Sequence, residues 1–184
     1  MTTKEFSILA IDDDQAITDY LKVVLSGRCN VTTLNDPREA VRLARELMPD
    51  LILCDVEMPQ INGYALCEQL KADTTLRDVP VIFLTSSIEA QGELRAFSAG
   101  AADFLLKGVD PAVLEVRIET RVALRRARRA LEDQTVELET LVAQRTADLE
   151  ASKQALRDSM HNLRTTKVST GVYWVQVPEA DLYI

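Results

Sequence analysis

The 184 residues carry 21 Lys+Arg against 29 Asp+Glu, a net charge of −8, and the excess lies wholly in residues 1–113, with 10 basic and 18 acidic residues against 11 and 11 in residues 114–184. Such a first part disfavours nucleic-acid contact, which needs a positive surface, and suits a cation site better. No stretch is long and apolar enough to span a bilayer, and Met1 to Ser7 is unlike a secretory signal. Three cysteines without a CxxC spacing (Cys29, Cys54, Cys67) point to reduced thiols in a cytoplasmic protein.

The length allows one domain of about 120 residues and an extension. In chain order, the short apolar runs Ile8 to Ile11, Val31 to Leu34, Leu51 to Cys54, Val81 to Leu84 and Phe104 to Leu106 predict strands. Between them, Ala16 to Leu25, Pro37 to Met48, Asn62 to Lys71 and Glu89 to Ala99 have the spaced apolar positions of amphipathic helices. Asp36 before Pro37 and Asp110 before Pro111 read as N-caps followed by a first-turn proline, and Gly100 closes the fourth helix. Strictly alternating strand and helix predict an α/β fold, a doubly wound five-stranded parallel sheet covered on both faces. After Pro111 one long helix is expected to about Leu163.

In such sheets chemistry collects at the carboxyl ends of strands. Here those ends carry Asp12-Asp13-Asp14, Asp55, Thr85-Ser86 and Lys107: anions, a hydroxyl and a cation. Crowded carboxylates raise one another's pKa unless a hard cation neutralises them, and Mg²⁺ favours oxygen ligands. With Mg²⁺ and Lys107 screening an incoming phosphoryl group, a carboxylate can act as nucleophile and form an acyl phosphate, whose oxygens Thr85 can hydrogen-bond. Each group alone is ordinary; their joint placement at four strand ends carries the reading.

At this point the sequence resembles the receiver domains of two-component response regulators over about residues 5–125. The resemblance rests on Ile-Asp-Asp-Asp at 11–14, Leu-Cys-Asp-Val-Glu-Met-Pro at 53–59 with Gly63, Phe-Leu-Thr-Ser at 83–86 and Ala-Gly-Ala-Ala-Asp-Phe-Leu-Leu-Lys at 99–107. It implies that Asp55 is the phosphoacceptor, that Asp13, Asp55 and the Glu57 carbonyl are Mg²⁺ ligands, and that Asp12 holds a metal water. It further implies that Thr85 and Lys107 bind the phosphoryl group, that Phe104 is the rotamer switch following Thr85, and that Glu57, Ser86 and Ser87 tune phosphate lifetime. The implied partner is a histidine kinase or phosphotransfer protein, and the chain itself is a switch rather than an enzyme. The family usually has proline after the lysine; this chain has Gly108, which is permissive enough to imitate that loop. Asp14 reads as a helix-start residue.

In the long helix, Leu124, Leu131, Leu138 and Val142, Leu149, Leu156, Leu163 form two columns stepping by seven, the seam of a coiled coil. Arg128, Thr135, Arg145 and Ser152 interrupt that seam, so a parallel dimer able to shift register is expected. Leu138 to Leu149 resembles the signalling helices that join receivers to output domains. The arginines at 117, 121, 125, 126, 128 and 129 interleave with Glu115, Glu119, Glu132 and Asp133, which predicts intersubunit and intrahelical ion pairs. Gly171 to Val177 reads as a strand. The expected organisation is therefore a receiver over 1–125, a coiled-coil signalling helix over 126–165, and the start of an output domain or tail over 166–184.

Two other readings match parts of the sequence. A haloacid-dehalogenase-like phosphatase matches Asp12-x-Asp14, Thr85 and Lys107, but lacks a late acidic pair and gives Asp55 no role. A hybrid sensor histidine kinase matches Ser159-Met-His-Asn-Leu-Arg-Thr165 faintly, with Asn162 in place of the usual acidic neighbour of His161.

Overall fold

The computed structural model describes residues 6–86 and 90–165. Five parallel strands, β1 (Ser7–Ile11), β2 (Asn30–Leu34), β3 (Leu51–Asp55), β4 (Val81–Thr85) and β5 (Asp103–Leu106), form one sheet in the order β2-β1-β3-β4-β5. Every residue of β3 and β4 is buried, as parallel strands covered on both faces require. Their sequences, LILCD and VIFLT, are accordingly continuous apolar runs that end in a polar residue. Register aligns those ends: Ile11 lies opposite Cys54, Asp55 opposite Leu84 and Thr85 opposite Leu106. Because the strand order reverses between β1 and β3, the residues leaving these two strands border the crevice where ligands of doubly wound sheets bind.

Successive side chains of a strand point to opposite faces, so two apolar layers form. On one face Leu9, Ile11, Ile52, Cys54 and Phe83 pack with Ala40 and Ala44 of α2 (Ala40–Leu47), Leu66 and Leu70 of α3 (Gly63–Ala72) and Ala96 of α4 (Ala90–Ser98). On the other, Ile8, Ala10, Leu53, Ile82 and Leu84 pack with Leu21 and Leu25 of α1 (Gln15–Leu25) and with Leu114, Ile118 and Val122 of α5 (Pro111–Thr165). Leu114, Ile118 and Val122 stand at a spacing of four, one stripe of a helix. All three cysteines are buried, and burial raises the Cys54 thiol well above its ordinary pKa, which keeps it an inert packing group.

The caps follow the sequence. The Asp14 carboxylate accepts from the Ala16 N–H at 2.8 Å, Asp36 accepts from the Arg38 N–H at 3.0 Å, and Asp110 accepts from the Ala112 N–H at 2.8 Å. Gly100 closes α4 at φ +88. The Pro37 segment differs from a single helix: Pro37–Glu39 is a 3-10 turn, α2 begins only at Ala40, and Met48 ends it in the left-handed region. Gly108 is a second difference. It sits at φ +83, which a proline ring forbids, so this loop does not imitate the proline-containing one. The strand expected over Gly171 to Val177 lies outside the described residues.

The chain divides into two compact units, Met1–Glu132 and Asp133–Ile184. In the first, several arginines of α5 reach groups distant in the chain. Arg121 and Arg117 reach Asp103 at 2.9 and 3.5 Å, Arg126 lies 3.8 Å from the Asp50 carboxylate, and Arg125 donates to the Pro49 and Asp50 carbonyls at 2.7 and 2.9 Å. Arg128 keeps an intrahelical pair, with Glu132 at 2.8 Å. These guanidiniums tie α5 to the loop that enters β3 and to the first residue of β5, a tertiary use that spacing along the helix cannot reveal. In the second unit the described residues 133–161 are helical and exposed, Leu138, Val142, Leu149 and Leu156 included.

Candidate functional site

Asp12 follows β1 directly, and its position is set from three sides. Its N–H donates to the Leu34 carbonyl at 3.1 Å, its carbonyl accepts from the Asn35 side-chain amide at 2.8 Å, and its Oδ1 accepts from the Asp14 N–H at 3.0 Å. Asn35 also donates to the Thr18 hydroxyl at 3.2 Å, so β2 and α1 both hold the turn. Asp55 ends β3, where its Oδ1 accepts from the Val56 N–H at 2.8 Å. Lys107 is brought in by the continuation of β5, its N–H donating to the Thr85 carbonyl at 2.6 Å.

These elements converge. The Lys107 ammonium lies 2.8 Å from Asp12 Oδ2 and 3.0 Å from Asp55 Oδ2, and both carboxylates are nearly excluded from solvent. Burial pushes the Asp12 carboxyl above its ordinary pKa, the hydrogen bonds from Lys107 and from Asp14 oppose that rise, and the Asp55 charge adds to it. For Lys107, burial works against the charged form, but the hydrogen bonds to Asp12 and Asp55 outweigh it and the net direction is upward. One ammonium thus holds two buried carboxylates together, with Asp13 exposed beside them.

The donor set suits a hard divalent cation. Asp12, Asp13 and Asp55 each offer a carboxylate oxygen, and these oxygens all lie within 4.8 Å of one another. Two buried carboxylates and an exposed third share one ammonium, so the cluster keeps surplus negative charge for such an ion. Thr85, buried, ends the neighbouring strand. Phe104 is half-buried against the apolar layer formed with α2, α3 and α4. Glu57 and Ser86 are exposed, Ser87 lies outside the described residues, and His161 is exposed on α5, away from this cluster in sequence.

Two supporting residues, Asn35 and Thr18, have no chemical signature in the sequence, whereas Gly63 belongs to the motif that carries the resemblance. Asn35 and Thr18 act through backbone and hydroxyl contacts. Gly63 is forced by space: a Cβ there would collide with the Asp55 carbonyl oxygen and stand 2.9 Å from Val56 Cα. Its N–H donates to the Val56 carbonyl at 2.9 Å, which folds α3 back against the end of β3. Tyr64, the next residue, donates to the Gly92 carbonyl at 3.2 Å and stacks edge-on to Phe83 at 5.2 Å, tying α3 to α4.

Residues 8–119 match the family model described as the response regulator receiver domain. Among curated relatives, the chain is 37% identical over 123 residues to the DNA-binding dual master transcriptional regulator RpaA of Synechocystis sp., covering 66% of this chain and 50% of that protein. It is 32% identical over 123 residues to the DNA-binding response regulator MtrA of Mycobacterium tuberculosis, covering 66% and 53%. Among solved structures, a response regulator from Chloroflexus aurantiacus is 30% identical with a TM-score of 0.62, covering 64% of this chain and 98% of that one. The receiver domain of a signal transduction histidine kinase from Syntrophus aciditrophicus is 34% identical with a TM-score of 0.59, covering 64% and 90%. The chain spans about half the length of the curated relatives it matches. With a matching family model, the same sheet and an acidic cluster at its strand ends, the chain belongs to the response regulator receiver family of two-component signalling.

Proposed function

We propose that Asp55 accepts a phosphoryl group from a histidine kinase or phosphotransfer protein, in a Mg²⁺-dependent reaction, and that the phosphorylated state is passed through a dimeric helix to an output domain. The observation that carries this reading is the convergence of Asp12, Asp13, Asp55 and Lys107 at adjoining strand ends. The Asp55 carboxylate attacks phosphorus, the bond to the donor nitrogen breaks with its electron pair leaving on the donor, and an acyl phosphate forms. Asp12, Asp13, Asp55 and the Glu57 carbonyl would hold Mg²⁺, Asp12 by way of a metal water. When bound, the ion neutralises charge on the phosphoryl oxygens.

The remaining roles belong to the protein's own groups. Lys107, already between Asp12 and Asp55, supplies a fixed positive charge for a phosphoryl oxygen at no cost of recruitment. The Thr85 hydroxyl donates to another such oxygen, and Phe104 turns inward as Thr85 moves. The expected result is that acetyl phosphate with Mg²⁺ adds one phosphoryl group to the intact mass, and that chelation with EDTA prevents it. No mass gain with Mg²⁺ present would overturn the reading.

The Leu138, Val142, Leu149 and Leu156 positions, at steps of four and seven and all exposed, support a parallel coiled-coil dimer. Sedimentation should give a dimer for the whole chain and a monomer for a chain ending at Glu132. A monomer in both would remove the coiled coil. On the same reading the protein works in the cytoplasm and makes no direct nucleic-acid contact through its receiver.

A further inference from the structure

The end of the sheet opposite the acidic site carries a cavity of about 310 Å³, bordered by Pro80 ahead of β4 and Ala102 ahead of β5. Six cationic side chains line it: Lys71, Arg77, Arg121, Arg125, Arg128 and Arg129. Asp78 and Glu132 are the acids that face them. This concentration of positive charge stands in a chain whose net charge is −8.

Three of the cations lack a carboxylate within 4.0 Å among the described residues. Lys71 donates instead to the Val79 and Arg77 carbonyls at 2.6 and 3.0 Å. Arg125, 8% exposed, donates to the Pro49 and Asp50 carbonyls, and its buried Nε–H has no acceptor. Arg129, which also lines the cavity, has neither a carboxylate within 4.0 Å nor a carbonyl acceptor among the described residues. Burial depresses the Lys71 and Arg125 pKa values, and the neighbouring Arg129 charge depresses Arg125 further. Asp78 is divided between Arg77 at 3.9 Å and Arg128 at 3.8 Å, while Arg121 is engaged by Asp103.

A cluster that crowds like charges and leaves a buried donor unmet gains from an anion with several acceptor oxygens, and guanidiniums match phosphate oxygens in pairs. The cavity volume is at the small end of the range for small-molecule sites. Its remaining wall is apolar, with Pro80, Ala102 and the exposed Leu124, a surface on which a base or other flat group can rest. Lys71 reaches the cavity along Gly100, where a Cβ would come within 3.0 Å of its Cγ, so the glycine also keeps that path open.

We infer that this cavity binds a small diphosphate-bearing anion between α5 and the loops entering β4 and β5, independently of phosphorylation at Asp55. The test is calorimetric titration of the full chain in EDTA, at constant ionic strength, with inorganic pyrophosphate and separately with ADP. Saturable binding to wild type is expected, weakened about tenfold or more in Arg129→Ala and in Arg128→Ala, and unchanged in Asp55→Asn. Arg129 is exposed and Arg128 two-thirds so, and circular dichroism checks that both variants fold. Tighter binding of ADP than of pyrophosphate assigns a nucleotide, and equal binding assigns the diphosphate group alone; both support the site. Three results overturn it: no saturable heat up to about 10 mM of either probe, binding that survives both arginine substitutions, or binding lost in Asp55→Asn.

Discussion

Asp55→Asn is expected to abolish phosphoryl uptake from acetyl phosphate, slowing it at least about a thousandfold, because the amide oxygen carries no anionic lone pair for attack on phosphorus. The substitution is nearly isosteric. The Val56 N–H keeps an oxygen acceptor, and Lys107 keeps its 2.8 Å contact with Asp12. One of two carboxylates buried together is neutralised, so the fold should stand. Loss of uptake therefore reports chemistry, provided circular dichroism and the melting temperature show a folded chain. Intact mass spectrometry compares the two proteins after the same incubation. Equal phosphate on both would sink the assignment of Asp55 and direct attention to Asp12 or Asp13.

Gly63→Ala is expected to destabilise the chain by about 2–4 kcal/mol, as overpacking against backbone does. The added methyl would meet the Asp55 carbonyl oxygen and Val56 Cα, neither of which can rotate away as a flexible side chain could. The start of α3 must then move off the end of β3, breaking the Gly63 N–H bond to the Val56 carbonyl. Since Glu57 lies between those contacts, its carbonyl shifts as well, and phosphorylation should slow in whatever fraction remains folded. Urea unfolding gives the first effect and single-turnover labelling the second. A stability change under about 0.5 kcal/mol, the range of an ordinary surface substitution, would show that the loop accommodates a side chain.

Much of this protein is legible without coordinates, for a specific physical reason in each case. Parallel strands buried on both faces must be continuously apolar, so VIFLT and LILCD announce themselves, as do the polar residues that end them. Asp14, Asp36 and Asp110 act as caps because a short carboxylate beside a helix start has few other uses. The Pro37 segment was less legible, since a 3-10 turn and an α-helix share their apolar spacing over three residues. For the arginines of α5, spacing along the helix shows only part of the pairing. Their sequence neighbours include acids at helical spacing, and Arg128 keeps one of these, Glu132, yet Arg117, Arg121 and Arg126 reach Asp103 and Asp50, distant in the chain.

By itself the sequence determined which groups are available: the α/β alternation, the acids after β1 and β3, the hydroxyl after β4 and the lysine after β5, all dictated by local periodicity and by where apolar runs stop. Only the tertiary structure decided how they meet. Strand order and register put Lys107 between Asp12 and Asp55, although 95 and 52 positions separate it from them in the numbering. Gly108 illustrates the division. Its identity announces a departure from the proline-containing loop, while its backbone conformation and the position of the adjacent ammonium depend on packing that no local pattern encodes. The same holds at the opposite end of the sheet, where cations from α3, α5 and the loop before β4 gather around one cavity because the fold brings those three segments together.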